Sequence, residues 1–196
     1  DGPWSLLSRQ LHRAGHWLRG NTRANSRRNI AEHYDLGNDF YRLFLDETMM
    51  YSSAIFETPE TPLLQASLDK LERVCVRLGL TPRTQLVEIG TGWGGLAMHA
   101  ARYFGASVVT TTISAAQKAL AEERLRDAGL DRRVAVLAKD YRDLQGEYDR
   151  LVSIEMIESV GHEHLDTFFA TCNRLLKPDG AMLIQAIVIG DQNYDR

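Results

Sequence analysis

"VEIGTGWGG", residues 87–95, decides the fold. A short apolar strand runs into Gly90, Gly92, Gly94 and Gly95, and an apolar helical pattern begins at Leu96. Glycines at a strand-to-helix turn let the backbone approach a ligand closely. Dinucleotide sites use the same grammar, so further details must choose the ligand. The spacing is G-x-G-x-G-G rather than G-x-G-x-x-G. Glu88 stands two residues before the first glycine, where it can organise the loop and a ligand ammonium. The next strand ends in "TTTISAAQ" (110–117), without the acid that grips an NAD ribose. These details point to S-adenosylmethionine, bound by Glu88, Gly90, Gly92 and Gly94. Thr112, Ser114 and Gln117 offer neutral hydrogen bonds to ribose hydroxyls. In "KDYRDL" (139–144), Asp140 and Tyr141 are placed to meet adenine, by hydrogen bond and by ring face.

Outward from this loop the chain alternates. "PLLQASLDKLERVCVRLGL" (62–80) has a helical period ended by Gly79. "TQLVEIG" is a strand, "GLAMHAARYFG" a helix closed by Gly105, and "ASVVTTTIS" a β-branched strand. "AAQKALAEERLRDAG" is a helix ending at Gly129, followed by the strand "RVAVLAKD". "YDRLVSIEM" (148–156) is a strand, "EHLDTFFATCNRLLKPDG" (163–180) a helix with a Pro/Gly stop, and "AMLIQAIVI" (181–189) a fifth strand. Such alternation predicts an α/β fold with a parallel-dominated sheet and helices on both faces, a Rossmann-like class I methyltransferase. The expected division is an N-terminal helical lid over 1–62 and a cofactor-binding domain over 63–196. Ending at "GDQNYDR" (190–196) would leave the fifth strand short of neighbours, so a C-terminal portion is expected to be missing.

With 196 residues, net charge −3, 44% hydrophobic and 25% charged residues, the composition is that of an ordinary globular chain. It gives no electrostatic case for nucleic acid as a partner. No apolar run approaches the roughly 20 residues that span a bilayer. Residues 4–28 differ: Arg9, His12, Arg13, His16, Arg19, Arg23, Arg27 and Arg28 interleave with Trp4, Leu6, Leu7, Leu11, Trp17 and Leu18, with no acid between Asp1 and Glu32. Two readings stay open, an amphipathic segment on an anionic membrane and a solvated helix packed by its apolar side. Cys75 and Cys172 are expected as buried reduced thiols, consistent with a cytoplasmic protein.

"NIAEHYDLGNDFYRLFLDETMMYSSAIF" (29–56), "VEIGTGWGGLA", "TTISAAQ" and "YDRLVSIEMIESVGHEHLDTFF" (148–169) occur in this order. In these blocks the chain resembles the cyclopropane-fatty-acyl-phospholipid synthases, including the mycolic acid cyclopropane synthases. The resemblance runs from about Asn29 to the end, and generic methyltransferases lack its N-terminal block. It implies that Tyr51 and Ser52 fold over the cofactor. Gly90 and Gly92 would approach its methionine portion, Thr112 and Gln117 its middle, and Tyr141 its adenine, while "FYRLFL" lines the approach of a fatty chain. It implies a bicarbonate ion as base, held by Glu158, the backbone of Ile154, Ser53 at a position usually cysteine, and Gln185 where a histidine is usual. A tyrosine ligand would lie beyond Arg196. The implied substrate is an unsaturated phospholipid acyl chain, met at the inner membrane face by a cytoplasmic, peripheral protein, and a homodimer is an admissible assembly.

The chemistry gives reasons for such groups. An alkene is a poor nucleophile, and its methylation leaves a carbocation that must be kept from water and stabilised by aromatic faces or carboxylates. A base must then remove a proton from the added methyl to close a cyclopropane ring. Alternatives are C-methylation ending in a methylene or methyl branch, a small-molecule N- or O-methyltransferase, and a cofactor-binding module without turnover. "EMIESVGHEH" (155–164) supplies Glu155, Glu158, His162 and His164, all metal-ligand types. No further well-spaced ligand set accompanies them and Gly161 interrupts the helix, so no metal is expected. His162, Glu163 and His164 read instead as the polar start of a helix.

Overall fold

The structure, a computed structural model, describes residues 37–190. The basic segment 4–28, the block up to residue 36 and residues 191–196 lie outside the described residues. Within them the helices are α1 (Gly37–Arg42), α2 (Leu63–Arg77), α3 (Gly95–Tyr103), α4 (Ala115–Asp127) and α5 (Leu165–Leu175). The strands are β1 (Gln85–Ile89), β2 (Ser107–Thr111), β3 (Val134–Leu137), β4 (Tyr148–Ile154) and β5 (Leu176–Gln185). They form one parallel sheet in the order β3-β2-β1-β4-β5. Strand order reverses between β1 and β4, so their C-terminal ends part and leave a crevice, the usual ligand site of an open α/β sheet.

The core explains the continuous apolar strands. In β1, Leu86 joins a cluster with Leu71 and Cys75 of α2, Leu96 of α3 and Leu125 of α4. Val87 and Ile89 face the opposite cluster, with Leu151, Phe168, Cys172 and Leu175. Burial on both faces is what a parallel sheet covered by helices requires. Full burial of one such side chain, Phe168 for example, contributes about 1.5–3 kcal/mol. Both cysteines are free and buried, and burial pushes the Cys75 thiol up to about 12 and the Cys172 thiol up to about 11.

The end of the chain departs from expectation. α5 stops at Leu175, and β5 begins at Leu176 rather than at Ala181. Leu176 pairs with Tyr148 and Ala181 with Arg150, so the Lys177–Gly180 stretch bulges from the ladder. β5 ends at Gln185, leaving Ile187, Val188 and Ile189 outside the strand and exposed. Ser114 is the N-cap of α4: its hydroxyl accepts from the Gln117 N–H at 3.3 Å.

The stretch from α1 to α2 is strapped over the glycine loop. Trp93 donates from its indole to Asn38 Oδ1 at 2.8 Å. Arg124 reaches across from α4 to the carbonyls of Trp93 (2.6 Å), Glu47 (2.6 Å) and Thr48 (3.3 Å). A Cβ on Gly95 would stand 2.6 Å from the Thr48 carbonyl, so only glycine lets the strap lie this close.

Candidate active site

A cavity of about 710 Å³ opens at the crevice between β1 and β4. Its floor is the β1 end and the loop after it, where Gly90 (φ 103°) and Gly92 (φ 52°) hold left-handed backbone. A Cβ on Gly92 would meet nothing within 4 Å, so that position faces open space reserved by the missing side chain. Glu88 also lines the cavity, yet is only 3% exposed, and its Oε2 has no hydrogen-bond partner. Burial pushes its carboxyl up to about 8, with the Thr110 hydroxyl opposing. An orphaned buried carboxyl oxygen beside a glycine cradle suits a ligand bearing an ammonium. These residues therefore fit S-adenosylmethionine, whose methionine portion carries that group.

Thr112, Gln117, Asp140 and Tyr141 line the same cavity. Thr112 donates from its hydroxyl to Gln117 Oε1 at 2.8 Å, which fixes the amide. Ser114 does not line it, because its hydroxyl is spent on the helix cap. The Asp140 carboxylate takes a two-point ion pair from Arg142 Nε (2.8 Å) and Nη2 (2.6 Å), which fixes it at the cavity edge. Gly94 lies outside the cavity. It is the N-cap of α3, and a Cβ there would press on Ala121 at 3.3 Å.

Tyr51 and Ser52 form the facing wall with Met49 and Met50. Lys70, 1% exposed on the inner face of α2, donates to Ser52 Oγ (2.6 Å) and to the Ser52 carbonyl (3.2 Å). Burial pulls its ammonium down to about 8, with the Glu155 and Asp46 carboxylates opposing. The "FYRLFL" run does not line the cavity. Tyr41 turns inward against Trp93 and Tyr51, while Phe40, Leu43 and Phe44 are exposed.

Two of the residues implied as a bicarbonate cage, Ser53 and Gln185, converge on a protein carboxylate instead. Ser53 N–H (3.1 Å), Ser53 Oγ (2.9 Å) and Gln185 Nε2 (2.7 Å) all donate to Glu155 Oε1. Glu158 lines the cavity nearby, and its Oε1 accepts from the Ile187 N–H at 2.5 Å. Ile154 is paired with Gln185 in the ladder, and the backbone N–H groups that reach carboxylates here belong to Ser53 and Ile187. A bicarbonate among these groups would find its donors engaged and two carboxylates beside it. The donor set does not suit that anion.

Glu155, Ile187 and Lys70 are the site residues that the sequence reading missed. Glu155 drew notice only as a metal-ligand type, although an acid directly after a strand's C-terminal end was a signal. Three of the four candidate ligands of that stretch have separate partners: Glu155 serves Ser53 and Gln185, Glu158 serves Ile187, and His162 lies against Glu163 at 3.3 Å.

Proteins similar to this chain in sequence and fold are known. The sequence model of the family described as mycolic acid cyclopropane synthetase matches residues 21–195. The tuberculostearic acid methyltransferase UfaA1 of Mycobacterium tuberculosis is 42% identical over 202 aligned residues, covering 94% of this chain and 46% of that protein. The cyclopropane-fatty-acyl-phospholipid synthase of Escherichia coli is 46% identical over 156 residues, covering 80% and 40%. Among solved structures, mycolic acid cyclopropane synthase CmaA1 complexed with SAH and CTAB superposes with a TM-score of 0.77 at 37% identity, covering 81% of this chain and 55% of that one. The chain thus spans under half the length of these curated relatives.

Proposed function

The chain belongs to the mycolic acid cyclopropane synthetase family, and from that membership we propose that it is the cofactor-binding part of an S-adenosylmethionine-dependent lipid methyltransferase. The bound cofactor supplies an electrophilic sulfonium methyl. Gly90, Gly92 and Glu88 hold its methionine end, Thr112 and Gln117 its ribose, Tyr141 its adenine, and Tyr51 and Ser52 close over it. The acceptor is a cis double bond of an unsaturated phospholipid acyl chain, and the product is a cyclopropane ring. The observation that carries this reading is the cavity lining around the glycine cradle, where a Cβ on Gly90 would stand 3.5 Å from Met156. There Met49, Met50, Ile154 and Met156 give an apolar surface interrupted by the carboxylates of Glu155 and Glu158. An apolar wall suits an alkyl chain, and fixed carboxylates suit a cation developing on it.

Residues 1–62 act in this reading as a lid, and the basic segment 4–28 as an anchor at the inner face of an anionic membrane, in a monomer or homodimer. Among the described residues no helix is long and apolar enough to cross a membrane. A second reading ends at a methylene or methyl branch without ring closure. It is supported by the likeness over 94% of this chain to a protein named tuberculostearic acid methyltransferase. The test incubates the full chain with S-adenosylmethionine and vesicles of unsaturated phospholipid, with small amines and carboxylic acids as rival acceptors. Cyclopropane and methylene products have equal mass, so proton NMR of the recovered acyl chains decides between them. Methylation of small acceptors alone would sink the lipid reading.

A further inference from the structure

We infer that Glu155 is the general base of this active site, a carboxylate of the protein standing where the resemblance calls for a bicarbonate ion. The inference rests on the lipid-methylation reading above. Independent features of the structure converge on it. Three donors from residues far away in sequence, two on Ser53 and one on Gln185, aim at one oxygen, Glu155 Oε1, at 2.7–3.1 Å. Among the described residues Oε2 accepts no hydrogen bond, and Glu155 lines the cavity that contains Gly90 and Gly92. It is therefore oriented through one oxygen and free to react through the other.

The backbone supplies the second argument. Glu155 has φ 45°, one of only two non-glycine residues with positive φ among the described residues. Its N–H is held by the Gln185 carbonyl at 2.8 Å, so the ladder enforces this conformation. A strained residue fixed from several sides at a cavity edge is a mark of a functional position. Glycine would relieve the strain, so a packing role alone gives no reason for a glutamate here. The third argument is charge. Lys70 is near enough for the Glu155 carboxylate to raise its pKa against burial. It donates to Ser52, next to the serine that holds Glu155. This cation offsets the charge of a resident carboxylate, while an added anion would face Glu155 and Glu158 together.

The step balances without an outside base. The alkene π pair forms the C–C bond to the transferred methyl carbon, and the pair of the broken C–S bond stays on sulfur. One former alkene carbon is left cationic. Glu155 Oε2 takes a proton from the added methyl. The C–H pair released then closes the ring onto the cationic carbon. If hydride first shifts from the methyl-bearing carbon to its cationic neighbour, the same pair becomes the double bond of a methylene branch. Protons beside a carbocation are strongly acidic, so a hydrogen-bonded carboxylate suffices if it is well placed. The proton passes from Glu155 to solvent as product leaves.

The experiment uses the full chain, S-adenosylmethionine and vesicles of dioleoyl phosphatidylglycerol and phosphatidylethanolamine, in CO2-free buffer with and without added bicarbonate. The wild-type rate is expected to be the same in both. Glu155→Gln keeps the shape and is expected to lose about 100-fold or more in both buffers. Glu155→Gly relieves the backbone and opens the anion site, so its activity should be low without bicarbonate and recover when bicarbonate is added. Carbon-13 NMR of labelled bicarbonate should show binding to Glu155→Gly and none to wild type. Thermal melting and calorimetry with S-adenosylmethionine establish that both variants fold and bind. Bicarbonate-dependent wild-type turnover, bicarbonate binding to wild type, or a near-normal rate in Glu155→Gln each overturns the assignment of the base while leaving lipid methylation standing. A wild-type protein that binds cofactor but never methylates the acyl chain overturns the lipid reading, and the base with it.

Discussion

Lys70 and Ser52 are joined by two hydrogen bonds from one buried ammonium, at 2.6 Å to the hydroxyl and 3.2 Å to the carbonyl. α2 thereby fixes the "YSS" segment from behind, which accounts for a lysine on a buried face shared with Ala66, Ser67, Leu71, Val74 and Cys75. Lys70→Met keeps the stem and removes the donor. Because hydrogen bonds from charged groups contribute about 1.5–3 kcal/mol, calorimetry should show cofactor affinity weakened about tenfold or more. The melting temperature should change little, since burying the ammonium carried its own cost. Unchanged affinity would detach Ser52 from the cofactor.

Glu88 should couple the site to pH. Its folded carboxyl is pushed up to about 8 from an ordinary 4.5. The folded chain therefore keeps a proton that the unfolded chain has released. The stability this contributes is complete below about 4.5 and is lost as pH rises to about 8. Within that window wild type should lose about 1.4 kcal/mol per pH unit relative to Glu88→Gln. A cofactor ammonium at Oε2 favours the carboxylate, so binding near pH 7 should release a proton. Calorimetry in buffers of different ionisation enthalpy measures this, and equal heats in all of them would remove Glu88 from the cofactor.

Gly92→Val places a branched side chain at φ 52° in open cavity space. The strain costs about 1–3 kcal/mol, which a stable domain survives, while the side chain takes the cofactor's volume. Circular dichroism should remain native and S-adenosylmethionine binding should fall below detection. Retained binding in the folded variant would move the cofactor away from this loop.

Glu158 is a contrast to Glu155. Its Oε1 is occupied by the Ile187 N–H, and a glutamine in its place could still accept that bond through the amide oxygen. Glu158→Gln should lose less than about tenfold in product formation, against about 100-fold for Glu155→Gln. A larger loss in Glu158→Gln than in Glu155→Gln would reverse the two roles.

Phe40, Leu43 and Phe44 present an exposed apolar patch on α1 and its C-terminal turn, with Tyr51 edge-on to Phe44. Replacing Phe40 and Phe44 together by serine should weaken vesicle binding about tenfold or more in a flotation assay. Cofactor affinity should fall by less than vesicle binding does, because neither ring lines the cavity and only Phe44 of the two touches Tyr51. Equal flotation of both proteins would confine lipid contact to other surfaces.

Local periodicity made most of the sheet legible. The strands from β1 to β4 and the helix stops near Gly79, Gly105 and Gly129 fall where the sequence places them. β5 was misjudged because its early start depends on Leu176 meeting Tyr148 across a bulge, a tertiary event. Ser114 reads as a ribose contact in sequence, but S-x-x-Q is also a helix-capping pattern, and in the fold its hydroxyl caps α4. Glu155 was hidden for a different reason. Its partner Ser53 lies 102 residues away, and no pattern in the chain announces its φ of 45°.

The reversal of strand order has a further consequence. Gly90, Gly92, Thr112 and Tyr141 follow the ends of β1, β2 and β3, whereas Glu155, Glu158 and Gln185 belong to the ends of β4 and β5. In the proposed reaction the reagent is thus held by one half of the sheet, and the fate of the alkyl cation falls to the other. On that reading, substitutions on the β4–β5 side should redirect the product while the cofactor stays seated, so a single chain would offer a screen in which binding is a constant and product identity the variable.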